Sequence, residues 1–423
     1  MSTNRNILKM AGMGSLVGIF SGLCAVLYRF LINQTDAFRA PFFQKSGPEL
    51  VSTLIAVLIC GVVAAKLLTW APFSGGSGIP QIHAELEGYI RMKPLRVLLS
   101  KLTGGTLLNI IGLSLGREGP SIQMGGMAGK LVSRLDSKFS WLRITSEEKM
   151  LLISAGAGAG LAAAFNAPLA GVIFCVEELH KKVSHTLFVP IIAATTTANA
   201  VSYALMGKET SFSFTFHHTL DLRYLWVALI IGIATGLVGV VFNYTLLKMQ
   251  DLWNHFELDL MYKLMFLGIV GLFIGRYFYD ITGGGHHLVE SFARGEYSLT
   301  MLLILLVTKL FYTTFAYGSG AQGGIFLPVL VLGAIVGSVI FHLVAGFGLS
   351  EFLLNFIILG MVGILASVVQ APILAIILVL EMTGSFSLLL FFTVTSLVSM
   401  LVAEICHTPP IYDSLYERIV KKL

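Results

Sequence analysis

The sequence predicts an all-α, polytopic membrane protein, and three observations carry that prediction. Of 423 residues, 56% are hydrophobic and only 12% are charged, about half the charge of a water-soluble chain. The apolar residues gather into eleven segments close to or above the roughly 20 residues that cross a bilayer as a helix. Several segments carry glycine or proline in their middles. Such breaks are tolerated at membrane depth only where the freed backbone is buried in protein or lines a watery cavity. The expected architecture is one transmembrane domain, 1–423, of short, tilted and broken helices around a pathway.

The first segment, 10–32, follows Arg5 and Lys9. That order resembles a signal peptide, but the run is long enough to span and shows no small-residue cleavage site before Arg29, so a retained first helix is expected. Further segments lie at 50–70, 97–115, 151–178, 187–206, 224–249, 262–279, 299–317, 326–344, 352–382 and 388–406. The polar stretches 33–48, 207–223 and 250–259 are expected as loops, the second at the midpoint of the chain. Lys and Arg near both ends, including Arg418, Lys421 and Lys422, place both termini in the cytoplasm, as in the inner membrane of a prokaryote. The net charge of +5 sits largely in connecting segments, and no basic tract interleaved with aromatics suggests a nucleic-acid partner. Cys24, Cys60, Cys175 and Cys406 stand singly, without the spacing of disulfides or a zinc site, and are expected as packing residues.

The chain also repeats itself. Ser146-Glu147 matches Ser350-Glu351, Gly156 matches Gly360, Leu161-Ala162 matches Leu365-Ala366, Ala167-Pro168 matches Ala371-Pro372, and Glu177 matches Glu381, all at one offset. With a small insertion, Pro120, Gly125 and Gly129 fall on Pro328, Gly333 and Gly337. Two halves, about 10–206 and 222–412, thus carry matching broken turns, a sequence pointer to a midplane substrate site. Identity alone leaves open whether the repeat is parallel or inverted.

The most informative stretch is Gly116-Arg117-Glu118-Gly119-Pro120. A charge left unpaired in hydrocarbon costs about 3 kcal/mol on insertion scales, so Glu118 is expected to face a polar pathway. Glycines at 116 and 119 free the backbone to aim successive N–H groups at one point, and a helix beginning near Pro120 adds its positive end. An anion is held there without a formal positive charge, and ionised Glu118 can occupy the same place as a tethered anion. Gly75-Gly76-Ser77-Gly78-Ile79-Pro80 is a second such break, with the Ser77 hydroxyl as a neutral donor. Gly323-Gly324-Ile325-Phe326-Leu327-Pro328 is a third. One glycine-rich turn alone reads as a device for close helix packing. Three, each ending in proline, point to an anion cradle.

The motifs Gly76-Ser77-Gly78-Ile79-Pro80, Gly116-Arg117-Glu118-Gly119-Pro120 and Gly324-Ile325-Phe326-Leu327-Pro328, in this order, resemble the signatures of the CLC family of chloride channels and chloride/proton exchangers. The resemblance extends through 165–171, 380–383 and Pro410-Ile411-Tyr412, nearly the whole chain. It implies a homodimer with one pore per subunit, two inverted halves, chloride and protons as the transported ions, and no cofactor. Carried over, Ser77 and Tyr412 give hydroxyl donors to a central anion, and Ile325 and Phe326 give backbone N–H groups. The N–H groups of Arg117, Glu118 and Gly119 form an outer anion site with Glu118 as its competing gate. Glu178 takes the place of the internal proton-transfer glutamate, an acid that family channels commonly lack, which favours an exchanger over a passive channel. In the repeat Glu178 aligns with Met382, so it is not a remnant of the shared scaffold. Ser77 in place of methionine, with Tyr412, argues against the fluoride-exporting branch. Lys101, a lysine with acidic neighbours in the family, has Glu87 as a candidate partner, and His83 stands where an acid is common.

Gly283-Gly284-Gly285-His286-His287 lacks further ligands at metal spacing and is expected as a loop, so no metal site is expected. Glu147 and Glu148 after Thr145-Ser146 are expected as first-turn carboxylates beside a helix cap. No HExxH or GxSxG pattern supports an intramembrane enzyme.

Overall fold

The structure, a computed structural model, describes residues 2–137, 143–182, 185–212, 214 and 219–423. Among these residues the chain folds as two series of eight α-helices and a closing one. The first series is α1 (Ser2–Phe43), α2 (Pro48–Trp70), α3 (Ile79–Leu86), α4 (Pro94–Ile110), α5 (Glu118–Val132), α6 (Ser146–Phe165), α7 (Pro168–Phe174) and α8 (His185–Met206). The second is α9 (Leu225–His255), α10 (Leu260–Tyr277), α11 (His286–Ala293), α12 (Leu299–Gly318), α13 (Phe326–Val344), α14 (Leu353–Val369), α15 (Pro372–Thr383) and α16 (Leu389–Ile405), before α17 (Ile411–Val420). Nine helices in the described residues are long and apolar enough to cross a membrane.

Two apolar segments break where glycine is not the cause. Asn166 (φ 57°) ends α6 and Gln370 (φ 59°) ends α14, both left-handed caps followed by an Ala-Pro step that starts the next helix. Glycines then let the long helices touch backbone to backbone. A Cβ on Gly125 would lie 2.1 Å from the Gly156 carbonyl oxygen, and one on Gly333 2.3 Å from that of Gly360. Close approach by small residues replaces the hydrophobic drive that lipid cannot supply.

The two series meet through reciprocal contacts. Glu177 accepts the N–H groups of Ile373 (3.2 Å) and Leu374 (2.6 Å) at the start of α15. Glu381 accepts those of Leu169 (3.1 Å) and Ala170 (2.8 Å) at the start of α7. Each carboxylate faces the positive end of the other half's helix. Mutual contacts of this kind are what a two-fold relation produces.

Two expected loops are helical. Residues 33–43 continue α1, because the polar residues there serve one another: buried Arg39 pairs with Asp36 at 2.9 Å and donates to Asn109 Oδ1 at 3.1 Å, which also accepts from Thr35 at 2.6 Å. Residues 250–255 continue α9, where the Trp253 indole donates to the Phe315 carbonyl at 2.9 Å. His286 and His287 open α11 and are no loop; Gly285 (φ 88°) supplies its left-handed cap. The described part of 207–223 is largely non-helical, and 213 and 215–218 lie outside the described residues. Cys406 is exposed at the end of α16, so it does not pack as expected. The cap at Thr145 is complete, with Thr145 Oγ1 accepting from Glu148 N–H (3.2 Å) and Glu148 accepting from Thr145 N–H (2.9 Å).

Candidate functional site

Three of the sequence's glycine-rich turns converge. Gly116 and Gly324 each donate their N–H to the other's carbonyl at 2.7 Å, so the starts of α5 and α13 lie side by side. Gly76 donates to the carbonyls of Ala321 (3.1 Å) and Gly320 (3.3 Å) and accepts from Gly323 (3.0 Å), which brings in the third turn. Space is so tight that a Cβ on Gly119 would stand 2.8 Å from that of Ser77, and one on Gly324 2.9 Å from Gly119 N.

Glu118 is the first residue of α5 and wholly buried. Its carboxylate folds back over its own turn: a Cβ on Gly116 would lie 2.4 Å from Oε2. The N–H groups of Arg117, Glu118 and Leu327 face it without reaching hydrogen-bond geometry, and neither carboxylate oxygen has a hydrogen-bond partner among the described residues. The Arg117 Nε is 3.8 Å from Oε1, while the guanidinium's Nη1 donates to Asn33 Oδ1 at 2.8 Å. First-turn N–H groups lack intrahelical acceptors and carry the positive end of the helix dipole. The Glu118 carboxyl group thus lies buried against the positive ends of two such helix starts, with Arg117 at the rim.

Outside it opens a cavity of about 510 Å³, lined in part by Arg29, Asn33, Arg117, Ser211, His286 and Glu290. Arg29 Nε and Nη1 and Arg117 Nε are buried donors without a hydrogen-bond acceptor in the described protein. His286 Nε2 donates to the Ser211 carbonyl (2.6 Å) and the ring stacks on Phe212, ring centroids 4.4 Å apart.

On the other side of Glu118 lie the hydroxyls. Ser77 is fully buried; its Oγ accepts from Ile79 N–H (3.3 Å) and sits 3.4 Å from the Tyr317 hydroxyl. Tyr412, in the first turn of α17, stacks on Phe326 at 5.9 Å, and its buried hydroxyl has no partner among the described residues. A buried phenol normally finds a hydrogen-bond partner, so the vacant donor marks this as the place for an acceptor. Ile325 caps α13 and Phe326 begins it, so their N–H groups are among those a helix start leaves without intrahelical acceptors. Ser77, Glu118, Gly119, Ile325, Phe326 and Tyr412 are therefore brought together.

Glu178 stands apart. It is buried in a single π-helical turn, Cys175–His180, that ends at Lys181 (φ 50°). Lys181 pairs with Asp413 at 2.6 Å, tying this turn to the residue beside Tyr412. Tyr412 is within electrostatic reach of both Glu178 and Glu118. A π turn is frequent at functional sites, since it breaks the regular ladder and re-aims side chains.

Lys101 neither reaches an interface nor meets an acid. It is fully buried and donates to the carbonyls of Gly76 (2.5 Å) and Gly75 (3.4 Å), which locks the turn that presents Ser77. Glu87 is elsewhere, 3.4 Å from His83 and accepting from the Tyr416 hydroxyl at 2.7 Å. Sequence reasoning missed Tyr317 and Lys309. Both are polar tips within an apolar span, and a buried tyrosine or lysine there is the signal that a partner must exist.

A profile described as "Voltage gated chloride channel" matches residues 60–404. The chain is 34% identical to the "H(+)/Cl(-) exchange transporter ClcA" of Vibrio cholerae serotype O1 (strain M66-2), covering 100% of this chain and 92% of that protein. It is likewise 34% identical to the protein of the same name from Vibrio vulnificus (strain YJ016), covering 97% and 89%. Among solved structures, a "slow cyanobacterial Cl-/H+ antiporter" superposes with a TM-score of 0.90 at 32% identity over 98% of both chains. A eukaryotic CLC transporter shares the fold at a TM-score of 0.81 and 18% identity, covering 98% of this chain and 74% of that one. The converging glycine turns, the doubled helix order and these likenesses agree, and the chain belongs to the voltage gated chloride channel (CLC) family.

Proposed function

We propose that this protein is a secondary active transporter that exchanges chloride for protons. The names of its relatives support that reading, and one observation carries it: a wholly buried carboxylate, Glu118, lies against the starts of α5 and α13 between an arginine-rimmed cavity and a cluster of hydroxyls. Ionised, Glu118 occupies the outer anion position formed with the N–H groups of Arg117 and Gly119. Protonated, it loses its attraction for the helix dipoles and leaves, and chloride takes its place. Chloride and the ionised carboxylate then exclude each other at one position, so chloride entry and proton uptake favour each other. Ser77 and Tyr412 donate hydroxyls to the next chloride inward, beside the N–H groups of Ile325 and Phe326. Glu178, across Tyr412 from the gate, passes protons to the far side by a route separate from the anion's.

Glu118→Gln tests this. In liposomes the variant is expected to carry chloride without coupled proton movement. If the unmodified protein already moves chloride with no proton flux, the reading is wrong and the protein is a passive chloride channel.

We further read it as a homodimer in an inner membrane, with inverted repeats of about 10–206 and 222–412 and both termini cytoplasmic. Lys9 reaches the Arg143 carbonyl and Glu148, while Tyr416 meets Glu87, whose neighbour Glu85 binds Lys130, so both ends lie on one face of the molecule.

A further inference from the structure

On that same face, α2 ends at Trp70, the chain turns through Ala71, Pro72 and Phe73 (φ 70°), and α4 starts at Pro94. Between them is a recess of about 220 Å³ whose rim carries Arg91, Lys93 and Arg96 and whose wall includes Trp70, Phe73 and Val97. Three exposed cations share this small space. None of them has an ion pair or side-chain hydrogen bond among the described residues. Nearby acids are engaged elsewhere: Glu85 with Lys130 and the Met92 N–H, Glu87 with His83 and Tyr416. Arg96 lies over the Trp70 ring, 5.5 Å from its centroid, which holds that guanidinium at the mouth.

The recess sits at the end of two lipid-facing stripes. On α2, Ile55, Ile59 and Val63 are 52%, 57% and 37% exposed, and Trp70 closes the row at 43%. On α4, Leu95 and Leu99 are 61% and 53% exposed. An apolar stripe on a membrane helix meets acyl chains, and an interfacial tryptophan marks headgroup depth. Basic pockets at such a level, between helices, suit anionic lipid headgroups.

We propose that this recess binds the phosphate of an anionic phospholipid, with Arg91, Lys93 and Arg96 around the headgroup and the acyl chains along the Leu95–Leu99 and Ile59–Val63 stripes. Charge complementarity selects the anion, and continuity with the stripes selects a lipid over free phosphate. The site uses none of the residues assigned to chloride or protons, so the two readings stand or fall separately.

The test titrates the purified full chain, stripped of lipid in a neutral detergent, with phosphatidylglycerol or phosphatidylcholine and counts bound lipid by native mass spectrometry. Phosphatidylglycerol is expected to bind roughly tenfold tighter, and R91Q/K93Q/R96Q to weaken it on the order of 100-fold, about fivefold per charge. An unchanged melting temperature shows that the triple variant is folded; should it not fold, R91Q alone is expected to show the fivefold loss. Inorganic phosphate at the same concentration is expected not to displace the lipid. Equal affinity for the two lipids, undiminished phosphatidylglycerol binding in the folded variants, or displacement by inorganic phosphate each overturns the proposal.

Discussion

Two turns of this molecule are built alike and used differently. In the first half, Gly78 (φ 95°) caps the eight-residue helix α3, and buried Lys101 donates to the carbonyls of Gly75 and Gly76. In the second, Gly285 (φ 88°) caps the eight-residue helix α11, and buried Lys309 donates to those of Ile281 (3.0 Å) and Gly283 (2.9 Å). Backbone, cap and buried lysine coincide. What differs is what each turn presents: Ser77, sealed among hydroxyls below Glu118, against His286 and His287, open to the cavity above it. The common scaffold is a way to fix a glycine turn inside a membrane, and the side chains placed on it differ with the side of Glu118 that each turn faces.

Substitution of the cap glycines should break the likeness most. Both positions need a left-handed residue, which costs an ordinary side chain about 1–2 kcal/mol. A Cβ at Gly78 would also lie 2.4 Å from Gln123 Cβ, whereas one at Gly285 would meet Val331 Cγ2 at 3.0 Å. Gly78→Ala is therefore expected to lower the melting temperature in detergent well beyond Gly285→Ala. Equal losses would mean that Gln123 moves aside freely.

Removing the lysines comes next. Lys309→Met leaves the buried Ile281 and Gly283 carbonyls without their donor, expected to cost about 1–3 kcal/mol in stability, and Lys101→Met is expected to cost less, because Gly75 keeps the Gln81 amide and Gly76 the Gly323 N–H as donors. Only Lys101→Met should also weaken chloride binding by calorimetry, since only its turn carries Ser77. A matching loss in Lys309→Met would show that the second turn shapes the central site too.

Ser77→Ala keeps the turn and deletes one donor. Chloride affinity is expected to fall roughly fivefold, the worth of about one hydrogen bond, with a small drop in melting temperature because the Ile79 N–H and the Tyr317 hydroxyl lose their acceptor. The smallest effect is expected from His286→Phe, which keeps the stack on Phe212 and loses the contact with the Ser211 carbonyl: under about 1 kcal/mol of stability and no change in chloride affinity.

How far the site could be read from sequence follows from the same pair. Ser77, Glu118 and Phe326 stood out because glycine and proline flank them, and those residues punctuate backbone whatever the surroundings. The second lysine-pinned turn carries the same glycines, but histidines follow where isoleucine and proline stand in the first, so its kinship with the Ser77 turn was hidden. The breaks at Asn166 and Gln370 were signalled by the prolines after them. The helical ends of α1 and α9 were not: at α1 the polarity reports an internal network around Arg39 and Asn109, and at α9 it serves Arg418, which bonds Gln250 and Asp251. Lys101 was expected beside an acid, with Glu87 as its candidate, yet its partners are carbonyl groups, which no residue letter announces.

The paired N–H···O bonds between Gly116 and Gly324 carry a mechanical consequence. Two helix tips stitched together in both directions behave as one keystone, and shearing them apart would break both stitches at once, in surroundings with no solvent to mend them. A transport cycle on this frame is cheapest when the keystone stays put and a single swinging arm does the switching. The amide protons at these two glycines should then be among the slowest in the chain to exchange with deuterium, even while ions are crossing.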